Sequence, residues 1–186
     1  QGGMGAVYKA YDPKLNRYVA IKVLTAASGD ADLLQARFWR EGRASAKMRH
    51  PGIVAVYDIG MYGDTPYLVM DYLEAKSLDK VVRAPKDDLF PKGARTRDGR
   101  PGGLEQATAV KVANEICRAM DYAHAQGIVH RDIKPANILV DLETKRPVIT
   151  DFGLAKDLTE SEQRLTKSGA TLGTVLYMAP EQAAGD

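Results

Sequence analysis

The stretch that most constrains this chain is His130-Arg131-Asp132-Ile133-Lys134-Pro135-Ala136-Asn137, followed after two short apolar runs by Asp151-Phe152-Gly153. The apolar runs, 137–140 (NILV) and 147–150 (PVIT), read as short strands, and each has a polar cluster beside it. The fold must therefore set two carboxylates, a carboxamide and an ammonium at the ends of neighbouring strands. A hairpin of this length can return Asp151 to the neighbourhood of Asn137.

That residue set has a chemistry. A carboxylate and a carboxamide oxygen, here Asp151 and Asn137, are hard ligands suited to Mg²⁺, an ion that also takes oxygens from substrate phosphates. Asp132 is then free to receive a hydroxyl proton, and the Lys134 ammonium can neutralise phosphate. Any one of these residues alone reads as a turn-former or a cap. All of them together, in this order, point to phosphoryl transfer.

Two features near the N-terminus join this set. In the strand segment 18–24 (YVAIKVL), Ala20 and Lys22 face one way and Val19, Ile21 and Val23 the other. An ammonium inside an apolar strand is costly unless paired, and Glu41 is the expected partner. It falls on the same face of a predicted helix, 32–49, as Leu34, Phe38, Ser45 and Met48. The run Gly2-Gly3-Met4-Gly5-Ala6-Val7 is the second feature. Its backbone could pass close to phosphates and offer N–H groups. A surface turn explains the glycines equally well, but they enter a strand and a lysine-bearing strand follows.

The remaining organisation is coarser. Strands are expected over 7–12, 18–24, 53–59 and 66–72, with turns at 12–16 and 60–65. Residues 83–103 hold Pro85, Pro91, Pro101 and several glycines and read as an inserted, solvated surface loop. Residues 104–126 give the strongest helix, with Val110, Ala113, Ile116, Cys117, Met120 and Ala123 as its expected apolar stripe and Gly127 past its end. His124 on this helix reads as a structural histidine. Cys117 reads as a core residue and is the only cysteine, which excludes an internal disulfide and a cysteine-built zinc site. The polar stretch 157–173 reads as a mobile loop. Net charge is +2, too small to argue for nucleic acid or a membrane surface. No run reaches the length of a transmembrane helix. With 45% hydrophobic and 27% charged residues the composition is that of a globular domain, and the single cysteine is compatible with a reducing, cytosolic setting.

Five blocks in order, GGMGAVYKAYD at 2–12, VAIK at 19–22, HRDIKPAN at 130–137, DFG at 151–153 and GTVLYMAPE at 173–181, resemble a eukaryotic-type protein kinase, specifically a bacterial serine/threonine protein kinase. The resemblance implies an α+β, two-lobed kinase fold: a five-stranded N-lobe with one main helix and the hinge over 1–73, and a partial, mostly helical C-lobe over 74–186. It implies ATP and Mg²⁺, with Mn²⁺ as an alternative, and protein substrates bearing Ser or Thr. By position, Gly2 and Gly5 match glycines over ATP. Val7, Ala20 and Leu139 match the adenine walls, Met70 the gatekeeper, and Asp71 to Leu73 the hinge. Lys22, oriented by Glu41, matches the lysine on the α- and β-phosphates. Asp132 matches the catalytic base, Asn137 and Asp151 the Mg²⁺ ligands, and Lys134 the residue on the transferred phosphate. Thr174 matches the threonine bracing Asp132 and Lys134. Thr166 and Ser168 match sites of activating autophosphorylation, which would involve self-association; a phosphate there could pair with Arg131.

The pattern also departs from the family. The first glycine of the loop and most of the first strand are missing, the chain stops soon after Glu181, and both ends read as cut. Ala75-Lys76 stands where a glycine is usual, and the 83–103 insertion is long. The other readings of these motifs are a kinase-like nucleotide-binding module without turnover and a small-molecule kinase of similar fold.

Overall fold

The computed structural model describes residues 5–24, 31–83, 89–93, 102–152 and 176–180, and for 24, 31–37, 41 and 92 the backbone alone. Its first half is an antiparallel sheet with strand order β1-β2-β4-β3, built from β1 (Gly5–Asp12), β2 (Arg17–Leu24), β3 (Val56–Tyr62) and β4 (Thr65–Asp71). Helix α1 (Ala31–Lys47) lies between β2 and β3 in sequence and packs on β3. Strands β5 (Ala75–Ser77), β8 (Ile138–Asp141) and β9 (Pro147–Ile149) form a second sheet, and β6 (Lys92–Gly93) pairs with β7 (Gly102–Leu104). Helices α2 (Leu78–Arg83) and α3 (Gln106–Ala125) pack with this second half.

The β1–β2 connection is an Asx turn. The carboxylate of Asp12 accepts from the N–H groups of Lys14 (3.0 Å) and Leu15 (3.2 Å), and Asn16 takes a positive φ of 49°, which Asn tolerates. Edge strand β1 buries none of its described side chains, so backbone pairing to β2 carries much of its order. On α1 Phe38 and Ser45 are buried, and Met48 just past its end continues the same face, as the helical spacing predicts. Phe38, Val56 and Leu68 form the core between helix and sheet. Gly42 lets α1 approach the sheet: a Cβ there would lie 3.0 Å from Ile59. The helix is fastened at its C-terminal end. Arg49 bonds the carbonyls of Ala46 (3.0 Å) and Met48 (3.1 Å), its own N–H donates to the Tyr122 hydroxyl of α3 (3.0 Å), and the His50 ring lies 5.2 Å from the Tyr122 ring.

Three expectations are corrected. The described sheet has four strands rather than five; a fifth has no counterpart among the described residues. The third strand is not 53–59 but Val56–Tyr62, and its turn is Gly63-Asp64 rather than 60–65. Gly63 supplies the positive φ of 57° that the hairpin needs, whereas Gly60 sits in the strand opposite Tyr67 and leaves room for its ring. Ile53 and Val54 are buried without being strand residues of that sheet. Ile53 bridges in parallel to Ile149 of β9, the Val54 N–H donates to the Ile149 carbonyl (2.9 Å), and the Ile149 N–H donates to the Gly52 carbonyl (2.8 Å).

The third correction concerns α3. Its buried residues are Val112, Ala119 and Ala123, with Ile116 and Met120 half-buried, while Val110, Ala113, Cys117 and His124 are exposed. The true stripe is set by neighbours: a Cβ on Gly52 would stand 3.1 Å from that of Ala119, so only small residues fit where α3 passes the segment leading to Ile53. The 83–103 insertion is also partly built in. Leu89, Phe90 and Leu104 pack against the core of Leu78, Val81, Val112, Ile138 and Val140.

Because Tyr67 occupies the space beside Gly60, Gly60→Val should force the ring out of place. Overpacking of this kind costs about 1–3 kcal/mol, and urea unfolding of the variant should show a midpoint lowered accordingly.

Candidate active site

Strand β2 brings Lys22 to the sheet interior, where it is 7% exposed, and its Nζ lies 2.7 Å from Oδ1 of Asp151. The partner expected from the sequence was Glu41, whose side chain lies outside the described residues. A buried ammonium without a counter-charge would be strongly destabilising, and Asp151 meets that need from a strand end far along the chain.

Asp151 is in place because β9 is. Thr150 donates its N–H to the Asn137 carbonyl (3.0 Å), and its own carbonyl lies 2.9 Å from Nε2 of His130. The other ring nitrogen, Nδ1, accepts the N–H of Asp132 (3.2 Å). A neutral imidazole with its proton on Nε2 satisfies both contacts. The ring also lies 4.6 Å from that of Phe152, which joins Met48, Ile53, Ala119, Ala123 and Ile149 in one core. His130 thus connects the loop of Asp132 to the residue before Asp151.

Around Asp132 the groups converge. Lys134 Nζ lies 2.7 Å from Oδ2 of Asp132. The Asn137 amide nitrogen donates to the Asp132 carbonyl (2.8 Å) and to Oδ2 (3.0 Å). That commits the nitrogen end of Asn137 and leaves its oxygen as the atom with ligand character. Two backbone positions are held in the left-handed region, Arg131 (φ 62°) and Asp151 (φ 65°). Each costs on the order of 1–3 kcal/mol and persists only where the surroundings over-determine it.

Of the expected adenine-site residues, Ala20, Met70, Leu73 and Leu139 gather in one cluster with Val54 and Val148. Val7 shares the face of Ala20 and Lys22 but is 62% exposed and outside that cluster. Asp71 closes β4; its N–H donates to the Ala55 carbonyl and its carboxylate accepts from the Tyr57 hydroxyl, 3.0 Å away. Gly5 begins β1. Gly2, Thr166, Ser168 and Thr174 lie outside the described residues. A narrow cavity behind Met70, lined by Ser45, Met48, Leu68, Asp151 and Phe152 among others, has room for little more than a water molecule. Thr150 was not singled out in the sequence. The only signal for it was its place before Asp151, since its contribution is made by backbone atoms.

Against known proteins, the profile described as "Protein kinase domain" matches residues 1–185. The chain belongs to the protein kinase domain family. Over its full length this kinase domain is 36% identical to serine/threonine-protein kinase PknB of Mycobacterium tuberculosis, and 39% identical to a probable serine/threonine-protein kinase, SCO3848, of Streptomyces coelicolor. It spans 28% and 26% of those proteins respectively. Among solved structures, the kinase domain of Mycobacterium tuberculosis PknI, as its C20A mutant, aligns with a TM-score of 0.70 at 28% identity, covering 100% of this chain and 62% of that one. Another PknI kinase-domain structure gives 0.65 at 31% identity, covering 82% and 54%.

The buried site of His130 has a measurable consequence for this kinase domain. Burial lowers its pKa below the ordinary 6.5, against smaller opposing effects of the Thr150 carbonyl, Asp132 and Asp151. Between the folded value and 6.5 the unfolded chain holds a proton that the folded chain does not. This contribution to stability is therefore fully present above 6.5 and is lost as pH falls. The thermal midpoint should drop between about pH 7 and about pH 5, and in His130→Gln the drop should be smaller; equal slopes would assign the loss to other groups.

Proposed function

We propose that this domain transfers the γ-phosphoryl group of ATP to Ser and Thr hydroxyls of protein substrates. The observation that carries the reading is the 2.7 Å Lys22–Asp151 pair standing beside the Asp132–Lys134–Asn137 group. Two ammoniums, two carboxylates and a carboxamide from strands and loops distant in the chain, linked through His130 and Thr150, would face one site in this reading. The similarity to serine/threonine kinases supports the acceptor class.

In this reading Lys22 steadies the α- and β-phosphates. Its ammonium has three donors, so it can keep Asp151 while reaching a phosphate oxygen, and Glu41 would orient it from α1. Lys134 and Asn137 fix the Asp132 carboxylate, which orients the acceptor hydroxyl and receives its proton. Lys134 also offsets charge on the group being transferred. Asp151 and the Asn137 oxygen are a donor set that fits Mg²⁺, which prefers one or two such protein ligands together with phosphate oxygens. When bound there, the ion supplies positive charge against the phosphate oxygens. Mn²⁺ would accept the same donors. Val7, Ala20, Met70, Leu73 and Leu139 would enclose the base, with backbone groups of Asp71 to Leu73 on its edge and Gly2 and Gly5 over the phosphates. The catalytic work is positioning and charge neutralisation.

The proposal places the N-lobe and hinge at 1–73 and a partial C-lobe at 74–186, in a cytoplasmic setting where ATP is available. Thr166 and Ser168 are the proposed autophosphorylation sites, modified by a second copy of the chain, and Thr174 the proposed brace of Asp132 and Lys134. Among the described residues no helix is long and apolar enough to cross a membrane.

Asp132→Asn should keep ATP binding and lower phosphotransfer to a protein acceptor roughly 100- to 10 000-fold. Transfer at the parent rate would remove Asp132 from the role of base. Offering an aminoglycoside beside the protein acceptor separates a protein kinase from a small-molecule kinase, and ATP binding with no transfer to either would indicate a binding module.

A further inference from the structure

The face of the β1–β2 hairpin that carries Val7, Ala20 and Lys22 continues toward the turn as Lys9, Tyr11 and Tyr18. Lys9 pairs with Ala20 across the ladder, and its side chain runs diagonally toward the end of β4. There its ammonium stands over two rings at once, 4.3 Å from the centroid of Tyr18 and 4.2 Å from that of Tyr72. The Tyr18 and Tyr72 rings are 6.1 Å apart, and Tyr11 packs at 5.4 Å on the far side of Tyr18. Tyr72 lies between Asp71 and Leu73, in the segment assigned to the edge of the base. The same segment is also held through Asp71, whose partner Tyr57 carries the Arg17 guanidinium 3.8 Å above its ring. Both chains of contact begin on the β1–β2 hairpin and end on consecutive residues of the hinge segment.

These contacts matter because β1 has, as its other described tie, the backbone ladder to β2. It is an edge strand with no buried side chain described, and Val7 is largely in solvent. Strands of this kind open at low cost. The Lys9–Tyr72 contact fastens β1 directly to the hinge segment, while the Tyr18 contact holds the same ammonium to β2.

We propose that Lys9 is a positioning residue for the nucleotide: seated on Tyr18 and Tyr72, it ties strand β1 to the hinge segment and sets the spacing between Val7 and Leu73 that the base must enter. This rests on the nucleotide-site reading given above. The contact with Tyr72 raises the Lys9 pKa against a smaller opposing effect of desolvation, in keeping with a seat that favours the ammonium.

The test is titration of the chain with Mg²⁺ and a fluorescent ATP analogue, alongside thermal melts and KM for a protein acceptor. Lys9→Leu should weaken nucleotide binding about three- to fivefold, the loss of its exposed cation–π hold on Tyr18 and Tyr72. Acceptor KM should stay at the parent value, and the melting temperature should fall by no more than about 2–4 °C. Lys9→Arg, which also stacks on aromatic faces, should bind as the parent does. Tyr72→Leu should reproduce the Lys9→Leu loss, and the double variant should lose little more. Parent-like nucleotide affinity in Lys9→Leu, with Lys22→Met weakened in the same titration, overturns the role of Lys9 alone. No binding by the parent, or unchanged binding and transfer in Lys22→Met, overturns the nucleotide site itself.

Discussion

Ile149 donates its N–H to the Gly52 carbonyl and accepts the N–H of Val54 through its own carbonyl. This short parallel contact joins the four-stranded sheet and its helix to the smaller sheet of β5, β8 and β9. Ile149 is fully buried, so its two backbone groups would be costly to leave unmade. Two residues further on, the chain reaches Asp151 and meets Lys22. The ion pair at the site is thus a consequence of a backbone register set by neighbouring apolar residues. Substitutions that disturb Ile53 or Ile149 would move Asp151 before they touched any charged group.

The second organising element is His130. It has one proton to give and one lone pair to offer, and it spends both on backbone atoms, the Thr150 carbonyl and the Asp132 N–H. In doing so it fixes the separation between the loop of Asp132 and the residue before Asp151. Its ring packs on Phe152, so the same side chain belongs to the core. Polar positioning and apolar packing are therefore not separable here. The strain in the backbone at Arg131 and Asp151 is borne on either side of this ring.

How much of this could be read in advance differs from element to element. The candidate set Lys22, Asp132, Lys134, Asn137 and Asp151 was legible because the group in this order, unlike any one member, has few explanations. The hairpin of β1 and β2 was legible because Asp12 and Asn16 mark its turn. The α3 stripe was legible only in part: Ile116, Met120 and Ala123 reach the core as expected, and Val110, Ala113 and Cys117 do not. Two apolar stripes run along that helix, through Val110, Ala113 and Cys117 and through Val112, Ile116, Ala119 and Ala123, and periodicity alone cannot choose between them. The choice is made by Gly52, remote in sequence, which admits only small residues opposite. Strand β5 and the β6–β7 pair were missed for a related reason. They are two or three residues long and exist only through partners such as Asp141, which faces Ala75.

Helix α1 is held in two places among the described residues: Phe38 and Gly42 seat its middle on the sheet, and Arg49 and His50, packed on Tyr122, fasten the chain where it ends. Glu41 lies between Phe38 and Gly42, so the packing of the helix on the sheet fixes the place of its backbone. Tyr122 lies on the opposite half of the molecule and touches neither phosphate nor acceptor groups in the proposed site. Its hydroxyl nevertheless anchors the chain where α1 ends, and so ties the helix of one half to the other.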